Sequence, residues 1–211
     1  MTRKDFGDLL SKRAVEAGLA IDRALIEKLE AYYRALARWN TRLNLTGLPL
    51  NPPTNKAIDR LLVEPLLTAH AFQGGADIWF DLGSGGGSPA VPFQLFKPAK
   101  RLVMVESKER KAAFLRELIR ELPLPGAEVE VSRIESVARV HRWTGLADLV
   151  TLRAVRLSQP ILGGIRDLLR IGGQGILFGM QIEGISLPEE LEILPLELNW
   201  TSSTVLRRTQ R

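Results

Sequence analysis

The stretch 81–89 reads Asp-Leu-Gly-Ser-Gly-Gly-Gly-Ser-Pro. Glycines at 83, 85 and 87 lack a Cβ and accept positive φ, so backbone amides there can approach a ligand closely. A loop of this kind between a strand and a helix suits a nucleotide-type ligand at the carboxyl edge of a sheet. The dinucleotide fingerprint requires a third glycine at position 88, and this chain has Ser88. Asp81 has no part in gripping a pyrophosphate, but it suits the ammonium end of a methionine moiety, directly or through water. Glu106 closes the next apolar run. A carboxylate there accepts both ribose hydroxyls of an adenosyl group. NAD would use the same carboxylate, so Glu106 alone does not separate the two ligands. The plainer alternative makes Asp81 a turn cap and the glycines a tight turn. The ordered set of strand, acid, glycines, helix and second acid favours ligand binding, with S-adenosylmethionine as the cofactor.

Other chemistry is narrowed by residue type. The chain has no cysteine, which removes disulfides, thiolate metal sites and the thiol nucleophile that methylation of a pyrimidine carbon requires. His70 and His141, its two histidines, have no partner at ligand spacing, so no metal site is expected. Arg153, after a strand-like run, suits a cofactor carboxylate or an RNA phosphate; the competing reading is an ion pair with an acid such as Glu135. Asn51-Pro52-Pro53-Thr54 lacks the aromatic residue that amino-group methyltransferases place after such a motif, and reads as a stiff loop.

These residues need a frame. From Asp22, Leu25, Leu29, Tyr32, Leu36, Trp39 and Leu43 form one face of a long helix. A breaker cluster at 46–53 precedes a second helical pattern through Ile58, Leu61, Leu62, Leu66 and Leu67. Strands are expected at 78–82, 101–105, 128–131, 146–152 and 175–178, the last led in by a turn at Gly172-Gly173, with helices at 89–96, 108–122 and 161–169. Runs at 191–198 and 203–206 have no helix between them and suggest a closing antiparallel hairpin. The expectation is an α/β, Rossmann-like class I methyltransferase fold: a mostly parallel seven-stranded sheet with helices on both faces. Residues 1–75 read as an N-terminal helical extension of two helices, and 76–211 as the core, in one structural unit.

Several motifs carry a specific resemblance. Trp39-Asn40 with Asn44-Leu45-Thr46, the glycine loop with Pro89 and Pro92, Glu106 followed by Arg110-Lys111 and Phe114-Leu115, Ser132-Arg133-Ile134-Glu135, and Arg153-Ala154 occur in order. This pattern resembles the bacterial small-subunit rRNA guanine-N7 methyltransferase G family, also known as glucose-inhibited division protein B, from about Tyr33 to the last strand. The resemblance implies methyl transfer from S-adenosylmethionine to guanine N7 in 16S rRNA, with cofactor contacts at Gly83, Ser88, Ile134, Glu135 and Arg153, alongside Asp81, Gly85 and Glu106. Guanine N7 has a lone pair and no proton, so in-line placement suffices without a general base. The chain departs from the family at four positions. Ser88 stands for a bulky residue, Ala90 for a glycine, Leu61 for the histidine after Arg60, and Phe178 for a lysine.

A net charge of +5 and a pI near 9.8 favour a polyanionic partner. The RNA-binding candidates are Arg34, Arg38 and Arg42, spaced by four opposite the first helix's apolar stripe, with Arg60, Arg110 and Lys111; for the ridge of three, the favoured competing reading is a solvated helix face with Glu30 and Arg34 as an i,i+4 pair. Cations such as Lys108, Arg110 and Lys111 at a helix start oppose its dipole, which a nearby polyanion would offset. The tail adds Arg207, Arg208 and Arg211. Trp39 and Trp79 read as core, Trp143 and Trp200 as either core or surface. The expected partner is small-subunit rRNA or the 30S particle, with the protein a cytoplasmic monomer. The first residues reach an acid before any apolar run, which speaks against a secretory signal, and no run suits a membrane span. The alternatives are a methyltransferase on a small molecule or protein, and a non-catalytic RNA-binding or assembly factor that keeps the fold.

Overall fold

The computed structural model describes residues 3–72, 74–180, 182, 184–194 and 203–210. The sheet has seven strands, the first five alternating with helices as the hydropathy pattern requires. They are β1 (Ile78–Leu82), β2 (Arg101–Glu106), β3 (Ala127–Val131), β4 (Ala147–Arg153), β5 (Leu169–Phe178), β6 (Leu191–Leu194) and β7 (Thr204–Arg208). Their order in the sheet is β3-β2-β1-β4-β5-β7-β6. The first five strands pair in parallel, and β7 runs antiparallel to both β5 and β6. The closing antiparallel pair is therefore present, with β7 inserted between β5 and β6. The second half of the expected 191–198 run lies outside the described residues.

Four helices precede the sheet: α1 (Arg3–Glu16), α2 (Arg23–Leu43), α3 (Asn55–Ile58) and α4 (Glu64–Ala71), the last two joined by a π-helical turn at Asp59–Val63. The expectation of two helices in this region missed α1. Its buried stripe is short, Phe6, Leu10 and Ala14, too brief to stand out as a helical period. Asp22 caps α2 by accepting from the Leu25 amide at 2.7 Å. Around the sheet run α5 (Ala90–Phe96), α6 (Glu109–Glu121), α7 (Ile134–Val137) and α8 (Gln159–Leu168).

The core lies on both faces of the sheet. One apolar cluster joins α1, α2, the Asn55–Ala71 helices, α5 and α6 to residues such as Trp79, Met104 and Phe178. The other joins Phe80, Val103, Val150 and Leu177 to α7 and α8. Leu25, Leu29, Tyr32 and Leu36 are buried as expected, and Trp39 packs half-buried on the core. Trp143 is buried, and Trp200 lies outside the described residues. Gly172-Gly173, expected to lead into the fifth strand, instead lies inside β5. Leu169 already pairs with Ala147, and the register shifts before Leu149–Gln174. An irregularity of this kind accommodates Gly172 at φ 78°.

Candidate active site

β1 delivers its carboxylate into the interior. Asp81 is 1% exposed, and its Oδ1 accepts from Thr151 Oγ1 at 2.5 Å, while Trp79 Nε1 donates to the same hydroxyl at 2.8 Å. Asp81 Oδ2 is buried without a partner. Desolvation pushes the carboxyl up to about 6, against the hydrogen bonds that lower it. An orphaned carboxylate oxygen under a glycine loop is costly in the free protein.

The loop after β1 is tied to the end of β2. The amides of Gly83 and Ser84 donate to the Val105 carbonyl at 2.8 and 3.0 Å. Glu106 accepts the Gly85 amide on Oε2 at 3.0 Å and the Lys108 amide on Oε1 at 2.8 Å. Each oxygen keeps a second lone pair, so the carboxylate is aimed and still has capacity for two hydroxyl donors. Gly83 has φ 74°, and a Cβ there would stand 2.8 Å from Val155 Cγ2, so only glycine fits.

Two clefts meet at this loop and share Gly83, Glu106 and Val155. One, of about 740 Å³, runs beside Ser107, Lys108 and the Ser132–Glu135 turn, bringing Ile134 and Glu135 opposite Glu106. The other, of about 460 Å³, is bounded by Ser84, Gly85, Gly86, Ser88, Lys111 and Arg153. Its far wall was not anticipated. Leu36, the Asn44–Gly47 segment and Leu61 form it. Asn40 builds that wall: its Oδ1 accepts the Leu45 and Thr46 amides at 2.7 and 2.9 Å, and its Nδ2 donates to the Thr46 carbonyl at 3.1 Å. Tyr32 donates to the Gly86 carbonyl at 2.8 Å, and a Cβ on Gly86 would lie 3.1 Å from Leu36 Cδ1. The end of α2 thus packs directly on the glycine loop. The Trp-Asn and Asn-Leu-Thr motifs signalled this segment, but spacing along the chain does not say that it faces the loop.

Arg153 is committed to partners inside the protein. Its Nη2 pairs with Glu64 at 2.7 Å, with side chains 8% and 6% exposed. Its Nη1 donates to Ser88 Oγ at 3.1 Å and to the Arg60 carbonyl, and its Nε is buried without a partner. Arg60 Nη1 also lies 2.9 Å from both Glu64 oxygens. The acid is therefore Glu64, not Glu135. Burial pulls Arg153 down, Glu64 opposes this, and the charge persists at neutral pH. The Arg153 guanidinium lies 4.6 Å from the centre of the Phe178 ring, and Ser88 Oγ donates to the Leu61 carbonyl at 2.9 Å. Three of the positions that depart from the family pattern, 61, 88 and 178, therefore surround one arginine.

The basic candidates fare unequally. Arg34 pairs with Glu30 and Arg38 with Glu121, so the α2 ridge is largely neutralised, and Arg42 is the member with no acid partner among the described residues. Arg60 is spent on Glu64. Arg207 pairs with Glu192, and Arg208 donates to the Leu169 carbonyl; Arg211 lies outside the described residues. Arg110 and Lys111 make no ion pair among the described residues. Asn51–Pro53 forms a turn, and Thr54 caps α3 through the Ala57 amide. No helix is long and apolar enough to cross a membrane among the described residues.

Comparison with known proteins matches the chain from residue 25 to 204 to a family described as rRNA small subunit methyltransferase G (GidB). Ribosomal RNA small subunit methyltransferase G of Roseiflexus sp. (strain RS-1) is 35% identical over 167 residues, 79% of this chain and 70% of that protein. The protein of the same name from Xanthomonas axonopodis pv. citri is 34% identical over 197 residues, 91% of this chain and 85% of its own length. Among solved structures, a putative methylase from Haemophilus influenzae shares the fold, with a TM-score of 0.55 at 14% identity, over 70% of this chain and 88% of that one. A single family match runs through the end of α2, the glycine loop, both acids and Arg153, and the chain belongs to the small-subunit rRNA methyltransferase G family.

Proposed function

We propose that this chain transfers a methyl group from S-adenosylmethionine to N7 of a guanine in 16S rRNA, as the RNA itself or within the 30S particle. The observation that carries this reading is the convergence of the glycine loop, Glu106 and Ile134-Glu135 on two joined clefts, in a chain of this methyltransferase family. The site suits the cofactor. Asp81 Oδ2 lacks a donor that an ammonium group supplies, directly or through water, and Glu106 has two acceptor positions free for a ribose diol. Ile134 and Glu135 line the cleft where an adenine would lie, and Gly83, Gly85 and Ser88 follow the methionine end.

When bound, the cofactor supplies an electrophilic sulfonium methyl. The protein has no proton to remove from N7, so its work is alignment, which is worth up to about 7–11 kcal/mol in well-oriented reactions. The wall formed by Asn44–Gly47 and Leu61 limits where an acceptor ring can sit, and the apolar Leu36, Leu45 and Leu61 exclude water beside it. Residues 1–75 serve as a helical extension that completes this wall on the 76–211 core. A cytoplasmic monomer acting on ribosomal particles fits the reading.

The test is methyl transfer to small-subunit particles from a strain that lacks this modification, followed by nucleoside mass spectrometry. 7-Methylguanosine that appears only with protein and cofactor together is the expected result. Absence of transfer with cofactor binding intact would point to another acceptor.

A further inference from the structure

Around the cleft mouth, cations without an ion pair gather on one side. Most cations elsewhere are consumed: Arg13 by Asp59, Arg34 by Glu30, Arg38 by Glu121, Arg101 by Glu128, Arg170 by Asp148 and Arg207 by Glu192. Lys108, Arg110, Lys111, Arg133 and Arg156 make no ion pair among the described residues. They come from three separate chain segments, after β2, β3 and β4, which all end at the carboxyl edge of the sheet. Lys108 and Arg133 line the larger cleft and Lys111 the smaller, while Arg110 and Arg156 are exposed beside them. Of the nearby acids, Glu109 is paired with Arg116 and Glu106 is held by backbone amides, leaving Glu135 as the exposed counter-charge.

The opposite side of the mouth is different. There Arg60 and Arg153 share Glu64, and positions where the family carries histidine and lysine are Leu61 and Phe178, both buried. That side offers a phosphate only the surplus of two guanidiniums over one carboxylate. Lys108, Arg110 and Lys111 also crowd the start of α6, where the helix dipole disfavours cations. Five unpaired cations converging from three segments at an energetic cost indicate a polyanion at this edge.

We propose that, given the rRNA reading above, the substrate RNA docks its phosphate backbone on this one-sided rim of Lys108, Arg110, Lys111, Arg133 and Arg156, not on the α2 ridge. Single-stranded or looped RNA fits, because a base must leave its stack to enter the cleft. Phosphate contacts hold the strand in register and the cleft receives the base.

The experiment measures binding of unmodified small-subunit particles across a salt series, with S-adenosylhomocysteine affinity in parallel. Arg110→Glu with Arg156→Glu changes two exposed side chains that line neither cleft. This double variant is expected to lose at least tenfold in particle affinity and to flatten the log K against log salt slope by about 1.5 units, at about 0.7–0.9 per phosphate contact. Its S-adenosylhomocysteine affinity and melting temperature should stay unchanged. Arg34→Glu with Arg38→Glu should leave particle binding within twofold. Unaltered affinity and slope in the rim variant would overturn the rim while leaving the methyltransferase reading intact, and a loss confined to the α2 variant would relocate the surface. Wild-type protein that neither binds nor methylates the particles would defeat both the rim and the reading beneath it.

Discussion

Asp81 is where the cost of the site is concentrated. Its carboxyl titrates at about 6 in the folded chain, against an ordinary value of 3.8. Between those values the folded protein holds a proton that the unfolded chain has released, so stability without cofactor falls as pH rises from about 4 through 6. Asp81→Asn removes this titration. Its melting temperature is expected to vary less over that range and to exceed wild type by several degrees at pH 7.5, while S-adenosylhomocysteine affinity drops at least tenfold. Calorimetry of both proteins at several pH values checks the two halves. Loss of stability together with loss of affinity would mean that the ionised carboxylate supports the fold. The expected pair of results would be a trade of stability for binding. Phe178 belongs at the same scale. Phe178→Lys restores the family residue but sets an ammonium group beside the buried Arg153 guanidinium, which now rests on the ring at 4.6 Å. Thermal melts should show destabilisation despite the return to the family pattern, because the neighbours at 61 and 88 have changed as well.

Among the elements, the end of α2 matters most to the cleft. Asn40 makes three hydrogen bonds to the backbone of residues 45 and 46, and a typical bond contributes about 0.5–1.5 kcal/mol. Asn40→Ala is therefore expected to cost about 2–3 kcal/mol in denaturant unfolding and to raise KM for the particle as the wall loosens. Gly86→Ala probes the same junction from the other side. Its new methyl would press on Leu36 and on the Leu45 carbonyl at 3.1 and 3.3 Å, and overpacking of this kind costs about 1–3 kcal/mol. The π-helical turn at Asp59–Val63 carries the remaining border of the cleft. The carbonyls of Arg60 and Leu61 in that turn accept side-chain donors from Arg153 and Ser88. Local helix widening of this type recurs at functional sites.

At the scale of the molecule, Glu64 joins the helical N-terminal part to the sheet. It lies at the start of α4 and holds Arg153 at the end of β4 as well as Arg60. Glu64→Gln leaves a buried guanidinium without its counter-charge, a loss of about 3–5 kcal/mol for comparable pairs. Urea unfolding should show a lower midpoint with an unchanged slope if the chain still unfolds as one unit. The same bridge offsets part of the charge on one side of the cleft mouth, while cations without an ion pair gather at the β2–β4 edge. Charge distribution, more than its total, then decides where an RNA strand is steered.

The local features were legible from residue order. Strand–helix alternation, the glycine loop and its carboxylates, and the Ser132–Glu135 turn are written in short-range periodicity and in residues that tolerate unusual backbone. Even there, α1 escaped because three buried residues make too weak a period, and β5 absorbed Gly172-Gly173 because pairing with β4 overrode the local turn signal. Folding alone decided which distant groups meet. Arg38 finds Glu121 across 83 positions and Arg153 finds Glu64 across 89, so arginines that look free along the chain are not free in space. The physical reason is that hydrophobic burial sets the path of the chain, and side-chain charges pair only after that path has brought them within reach. Type and spacing thus single out the glycine loop, Asp81 and Glu106, and tertiary packing determines that the end of α2 walls the cleft, that Glu64 claims Arg153, and that cations without an ion pair gather on one side of its mouth.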